Sequence, residues 1–343
     1  MSKIASKRRD SVLKIIVSEY IVTANPVASE AILRHHSLGV SPATIRNDMA
    51  SLEEDGYISR PYTSSGGVPL DKGYRFYVES ISQSQELAGE EQKRIRQVLD
   101  SAVDEYDRLL RLAASTVAKL VGNAAIVTFP RSPECKFKHL EAIAVHPYMA
   151  MLILILRNAV LRRQTISFDS PVPSDQLEEA ATRLNREYAG LTKKQITEKK
   201  MELSNFENKI STAIYDLMSS EDATGYESSY LEGLRLMLGQ PEFIQRERML
   251  GVLELIEARE WVKRVVDWQV SGSGVNVIIG EENRDLALRD LSLVMSNYGV
   301  SDQARGALGI IGPKRMDYPR TIAAVNYVSG LLSELVARVC EGD

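Results

Sequence analysis

The sequence predicts an α+β protein of several domains with a winged helix-turn-helix at its amino end. Three observations carry that prediction. Residues 41–75, SPATIRNDMASLEEDGYISRPYTSSGGVPLDKGYR, read as one short helix followed by a small, glycine-tipped hairpin. The last third alternates strands and turns before a closing helix, which puts a sheet with helices on it in the body. The 343 residues exceed one ordinary core, so two or three domains are expected.

Residues 9–23 carry Val12, Ile15, Ile16 and Tyr20 at helical spacing, a first helix with one apolar stripe. Asn25-Pro26 breaks it. Residues 28–36 repeat the pattern with Ala31, Ile32 and Leu33. Leu38-Gly39-Val40 is a tight turn with Gly39 expected at positive φ. Ser41 caps a third helix, and Pro42 takes its first position, where a missing N–H costs nothing. Three short helices joined by tight turns make a helix-turn-helix core. Residues 57–60 and the segment near Val68 pair as a hairpin around Ser64-Ser65-Gly66-Gly67. The DNA-binding domain is assigned to 1–80.

A polar stretch over 80–91 reads as a linker, so 81–104 are assigned to a linker and the start of a connecting helix. Residues 92–121 predict one long amphipathic helix, with Ile95, Leu99, Ala102, Tyr106, Leu109, Ala113, Val117 and Leu120 recurring every three or four positions. Strands are expected at 140–145, 149–156 and 160–168, with a turn at Arg157-Asn158-Ala159. Residues 174–218 are helical and charged, between seams at 171–173 and 219–225. Residues 171–225 therefore read as a helical insertion into a domain formed by 105–170 and 226–343. Helices follow at 230–238 and 243–261, strands at 275–279, 291–296 and 306–311, and a final helix at 318–339.

The composition is that of a globular protein, 44% hydrophobic and 26% charged. The net charge of -4 argues against a nucleic-acid binder, but it is unevenly spread. Residues 1–50 hold seven Lys/Arg against four acids, a local +3, leaving -7 for the rest. A basic end on an acidic body fits a DNA-facing terminus. The two cysteines, Cys135 and Cys340, belong to no CxxC pair, and His139 and His146 stand near no carboxylate cluster, so neither a disulfide framework nor a metal site is expected. The basic amino terminus lacks the apolar core of a signal peptide, and the most apolar stretch, Met149–Leu156, is too short to span a bilayer. A cytoplasmic, reduced protein without a membrane partner is expected. No Ser-His-Asp, Cys-His or paired-acid grouping can be argued, which predicts a non-enzyme without a cofactor. Gly306, Gly309, Gly312 and Pro313 fit neither a Walker loop nor a dinucleotide fingerprint. Gly280-Glu281-Glu282-Asn283 reads as a polar strand-end turn.

In the third helix Ile45, Met49 and Leu52 lie at i, i+4 and i+7 and face the core. The opposite surface shows Thr44, Arg46, Asn47 and Ser51. Arginine grips guanine through two hydrogen bonds and asparagine does the same for adenine. The helix start, at Ser41 and Ala43, offers free N–H groups to a phosphate, and Ala43 is small enough to approach a thymine methyl. Asp48 would repel phosphate, so it is expected to pair with a neighbouring base or cap. In the wing, Tyr62, Thr63, Ser64, Ser65, Gly66 and Gly67 are small or hydrogen-bonding, as contact with a sugar-phosphate backbone requires. Lys72 and Arg75 flank it as charge partners for phosphate. His35 and His36 read as solvent or backbone partners.

SPATIRNDMASLEEDGYI followed by TSSGGVPLDKGYRFYVE resembles the amino-terminal signature of the heat-inducible transcription repressor HrcA family. IGEENRDLALRDLSLVMSNYGV and GALGIIGPKRMDYPRTIAAVNYV are similar to that family's carboxy-terminal region. The resemblance implies a winged-helix domain, a GAF-like domain and an inserted dimerisation domain. It implies a homodimer that represses chaperone operons from an inverted-repeat operator, called CIRCE in the family, and that depends on the chaperonin GroEL. The family's wing usually carries arginine where Gly67 stands, so an arginine introduced at Gly67 is expected to tighten operator binding. The alternative is a winged-helix regulator whose GAF-like domain senses a small effector.

Overall fold

Four apolar residues of the first helix, Val12, Leu13, Ile16 and Val17, are fully buried and form the floor of the amino-terminal core. They lie on helix α1 (Lys3–Thr23), against which α2 (Ser29–His35) and α3 (Pro42–Glu54) pack through Ile32, Ile45, Met49 and Leu52. Gly39 takes φ +66 in the turn before α3, the left-handed region that glycine enters without penalty. Strands β1 (Ile58–Ser59) and β2 (Val68–Pro69) pair antiparallel, Ile58 opposite Pro69 and Ser59 opposite Val68. The computed structural model describes every residue except 1–2, 37, 61–64, 82–85, 104, 131–134, 157–160, 224–228, 259–273, 284, 301–303 and 342–343.

Beyond the hairpin the chain forms α4 (Asp71–Glu79), then α5 (Gly89–Asp100) and α6 (Tyr106–Val121). The single helix expected over 92–121 is thus two. Glu105 N–H donates to Ala102 in the turn between them. The apolar stripe keeps its spacing across that turn, which is why the sequence hides it: Ile95, Leu99, Ala102, Leu109, Ala113 and Val117 are all buried.

The chain divides into two compact units. The first comprises Met1–Phe129, Ser228–Gly299 and Gly306–Asp343. Its sheet runs in the order β7 (Ser229–Glu232), β3 (Ala124–Thr128), β10 (Ala304–Pro313), β9 (Leu291–Val300), β8 (Asn276–Ile279). Helix α6 and the closing helix α12 (Tyr318–Glu341) share its core. Two of these strands, β3 and β7, went unread in the sequence: 230–238 was expected to be helical, yet only α10 (Leu234–Leu238) is. Helix α11 (Arg246–Ala258) follows.

The second unit comprises Pro130–Glu227 and Val300–Arg305. Strands β4 (Phe137–His146), β5 (Met149–Leu156) and β6 (Leu161–Ser167) form an antiparallel sheet in that order. Helices α7 (Ser174–Tyr188), α8 (Lys193–Glu198) and α9 (Asn205–Ala223) complete it. The boundary expected at 171 falls inside this unit. The inward residues of β5, Ala150, Leu152, Leu154 and Leu156, share one core with Leu177, Leu184, Ile210, Ile214 and Met218 of the helices. A sheet cannot be assigned apart from the helices that bury its face, so the strands belong with the insertion. The turn expected at Arg157-Asn158-Ala159 lies outside the described residues.

Candidate nucleic-acid interface

Helix α3 starts on Ser41, whose side chain accepts from Thr44 N–H at 3.2 Å. The Thr44 hydroxyl lies 2.9 Å from the Ser41 hydroxyl, so Thr44 completes the cap and is half-buried. Ile45, Met49 and Leu52 are turned into the core as the spacing predicts. Ala43, Arg46 and Asn47 are exposed together on the opposite face, and Ala50 extends that row by one further turn. Ser51 is half-buried at the row's edge. The structure thus brings five of the six expected residues of the recognition segment, Ser41, Ala43, Thr44, Arg46 and Asn47, to the first turns of one helix.

Asp48 does turn away from this face. Its two carboxylate oxygens accept from Arg8 Nε at 2.7 Å and Nη2 at 2.9 Å, a forked pair that joins α1 to α3. The hydrogen bond to Asp48 raises the pKa of Arg8. Arg46 Nη2 donates to Glu30 Oε1 on α2 at 3.2 Å. His35 and His36 do not face solvent or backbone alone, since His35 Nδ1 and His36 Nε2 lie 3.0 and 3.3 Å from Glu19 Oε1.

The wing residues divide. Tyr62, Thr63 and Ser64 lie outside the described residues, and Ser65 is half-buried. Gly66 and Gly67 are buried where the chain enters β2. Val27 and Gly67 exchange both backbone hydrogen bonds, at 3.0 and 2.9 Å, an isolated bridge beside the hairpin. A Cβ on Gly66 would stand 2.5 Å from the backbone of Pro26, and one on Gly67 would stand 3.1 Å from Ile58 Cδ1 and 3.3 Å from Met49 Cε. A side chain at Gly67 therefore starts toward the core.

Lys72 and Arg75, expected to flank the wing, have partners within the protein. Both lie on α4. Lys72 Nζ donates to the carbonyl of Asp55 at 2.8 Å, closing the end of α3, and rests 4.3 Å from the centre of the Tyr57 ring. Arg75 forks onto Glu282, with Nε to Oε1 at 2.7 Å, and donates to the carbonyl of Val277 at 2.7 Å. Its hydrogen bond to Glu282 raises its pKa, and the pair ties α4 to the body of the same unit. Asp71 is a third tie: it accepts from Lys314 Nζ at 2.7 and 3.0 Å and from Glu281 N–H at 2.9 Å.

With the recognition segment's geometry fixed, comparison with known proteins gives its context. A model of a DeoR-like helix-turn-helix domain matches residues 31–71, and a model of the HrcA protein C-terminal domain matches residues 107–322. The heat-inducible transcription repressor HrcA of Dehalococcoides mccartyi is 38% identical over 97% of this chain and 96% of its own. That of Chloroflexus aggregans is 35% identical over 99% and 95%. The chain belongs to the HrcA family. A solved structure described only as a hypothetical protein shares the fold, with a TM-score of 0.57 and 24% identity over 96% of this chain and 98% of that one.

Among HrcA proteins this chain therefore joins a helix-turn-helix to the family's C-terminal domain, with the α3 row as the DNA-facing candidate. Among the described residues no group of three or more His, Cys, Asp or Glu is disposed to hold a metal ion, and no helix is long and apolar enough to cross a membrane. Glu30 and Arg8 were missed by sequence reasoning. Neither has a local signal, because each finds its partner, Arg46 or Asp48, on another helix.

Proposed function

We propose that the protein is a heat-inducible transcription repressor that binds DNA as a homodimer, in the cytoplasm, at an inverted-repeat operator of the CIRCE type before chaperone operons. The exposed row Ala43, Arg46, Asn47 on a capped α3 is the observation that carries this reading. Its side chains suit base edges, and the row begins at a helix start that suits a phosphate. One such helix reads only a few base pairs, so two related by a twofold axis are needed for a long site. The second unit, an inserted dimerisation domain in this reading, supports the pairing. On its sheet the outward residues Ile143, Val145, Met149 and Leu161 are exposed although apolar. The rest of the body is taken as GAF-like.

Footprinting on the DNA upstream of the organism's own chaperonin operon tests the proposal. Two protected half-sites of opposite orientation are expected, and protection of one half-site or none overturns it. Dependence on GroEL belongs to the same reading: heat-unfolded clients draw the chaperonin away, and unassisted repressor loses operator binding. Repressor that recovers full operator binding after heating without chaperonin would remove that part.

One observation favours a second reading, effector sensing. A cavity of about 490 Å³ is lined by Tyr20, Val68 and Tyr74 of the winged helix and by Phe243, Leu291 and Arg315 of the body. A small molecule that shifts both melting temperature and operator affinity would support it.

A further inference from the structure

Arg46 is the sole cation among the thirteen residues of α3, and its described partner is a carboxylate on the neighbouring helix. Arg46 and Glu30 remain 61% and 67% exposed, so the pair sits at the surface, where ion pairs hold weakly and exchange readily. The face that would approach DNA therefore presents its one guanidinium already engaged by an anion. Asp48, the other charged group near the middle of α3, is turned inward onto Arg8 and does not compete.

We propose that Glu30 is a specificity-determining residue, which holds the Arg46 guanidinium over the α2–α3 surface and releases it only to an acceptor that replaces the carboxylate. This rests on the DNA-binding reading above. The O6 and N7 of guanine offer two acceptors in one plane, matching the fork that Arg46 gives up. A non-operator duplex offers no such edge in register. There Arg46 either stays with Glu30 and adds no phosphate contact, or settles on a phosphate and leaves the Glu30 carboxylate uncompensated beside the charged backbone. Glu30 thus weakens binding to the wrong sequence more than binding to the right one. The competing role, a charge that suits the start of α2, is a real one because the N-cap Ala28 supplies no side-chain acceptor. It predicts a change in stability and no change in sequence preference.

The test uses the full chain, an operator duplex and a scrambled duplex of equal length at one salt concentration. Glu30→Gln is expected to tighten binding to the scrambled duplex several-fold and to leave operator binding nearly unchanged. The preference then falls by about 3–10-fold, within the range of a single two-bond base contact. Glu30→Asp keeps the charge at the start of α2 but withdraws it from Arg46, and it is expected to lower the preference as well. Placed on Arg46→Ala, Glu30→Gln should change both affinities by one common factor. Equal changes on both duplexes in the otherwise unaltered protein, or a lowered melting temperature with parallel weakening, overturn the inference. An unaltered protein with no operator preference removes the DNA-binding reading and the inference with it.

Discussion

Arg46 and Asp48 stand two positions apart on one helix and meet opposite fates, because a step of two residues on an α-helix crosses to the other face. Arg46 stays in solvent and Asp48 locks onto Arg8. Replacing Arg46 with alanine is expected to weaken operator binding by about 1–3 kcal/mol, the worth of a two-bond base contact, and to leave melting unchanged. Titration of the operator alongside a thermal melt checks both halves. Gly66 is the reverse case. Its missing Cβ makes room for the Pro26 backbone, so Gly66→Ala should cost about 1–3 kcal/mol of stability through overpacking against atoms that cannot rotate away. Denaturant unfolding measures it. The α3 row was legible in the sequence since helical period and capping are local properties. The destinations of Gly67, Lys72 and Arg75 were not, since Val27, Asp55 and Glu282 come to them only through tertiary packing.

At the scale of elements, α4 is the piece that sequence left blank and structure makes a joint. Its first residue, Asp71, enters a notch beside Gly280, between the Lys314 ammonium and the Glu281 N–H. A Cβ on Gly280 would stand 2.0 Å from Asp71 Oδ2, and Gly280 sits at φ +53, so alanine there is both crowded and strained. Gly280→Ala should displace Asp71 and loosen α4 from the body. Faster proteolysis between α4 and α5 than in the unaltered protein is the expected outcome, and an unchanged cleavage pattern counts against the joint. In the second unit Glu207 joins α7 to the start of α9. Burial pushes its carboxyl up, but hydrogen bonds from Ser204 N–H and hydroxyl, both at 2.8 Å, and from Arg183 outweigh burial and hold it below the ordinary carboxylate range. A group depressed on folding stabilises above its ordinary pKa, and that gain is lost as pH falls through the depressed value. The melting difference between the unaltered protein and Glu207→Gln should therefore be full at neutral pH and shrink on acidification. The strands β3 and β7 escaped notice for a related reason. Each is only five or four residues long, and their pairing, Ile126 opposite Leu231, joins segments far apart in sequence.

At the scale of the whole molecule, the two units keep separate cores, and the second unit's sheet carries apolar residues on the face turned away from its own core. Strand β5 alternates strictly: Ala150, Leu152, Leu154 and Leu156 are buried, while Met149, Met151, Ile153 and Ile155 point outward. An outward row of four apolar residues on a central strand has no purpose in a unit that already has its core. Ile143 and Met151 are paired across β4 and β5, Ile155 and Leu161 across β5 and β6, so the apolar surface is continuous over all three strands. A second copy of the same sheet would cover it. Val145→Glu and Leu161→Glu together place two like charges on exposed positions without touching the core. In the proposed dimer they are expected to leave a folded monomer, read by light scattering with an unchanged melting profile. Operator binding should then fall toward that of a single half-site, because each recognition helix would have to find its own register alone. A variant that stays dimeric, or a monomer that binds the whole operator as tightly as before, would separate the sheet face from DNA recognition.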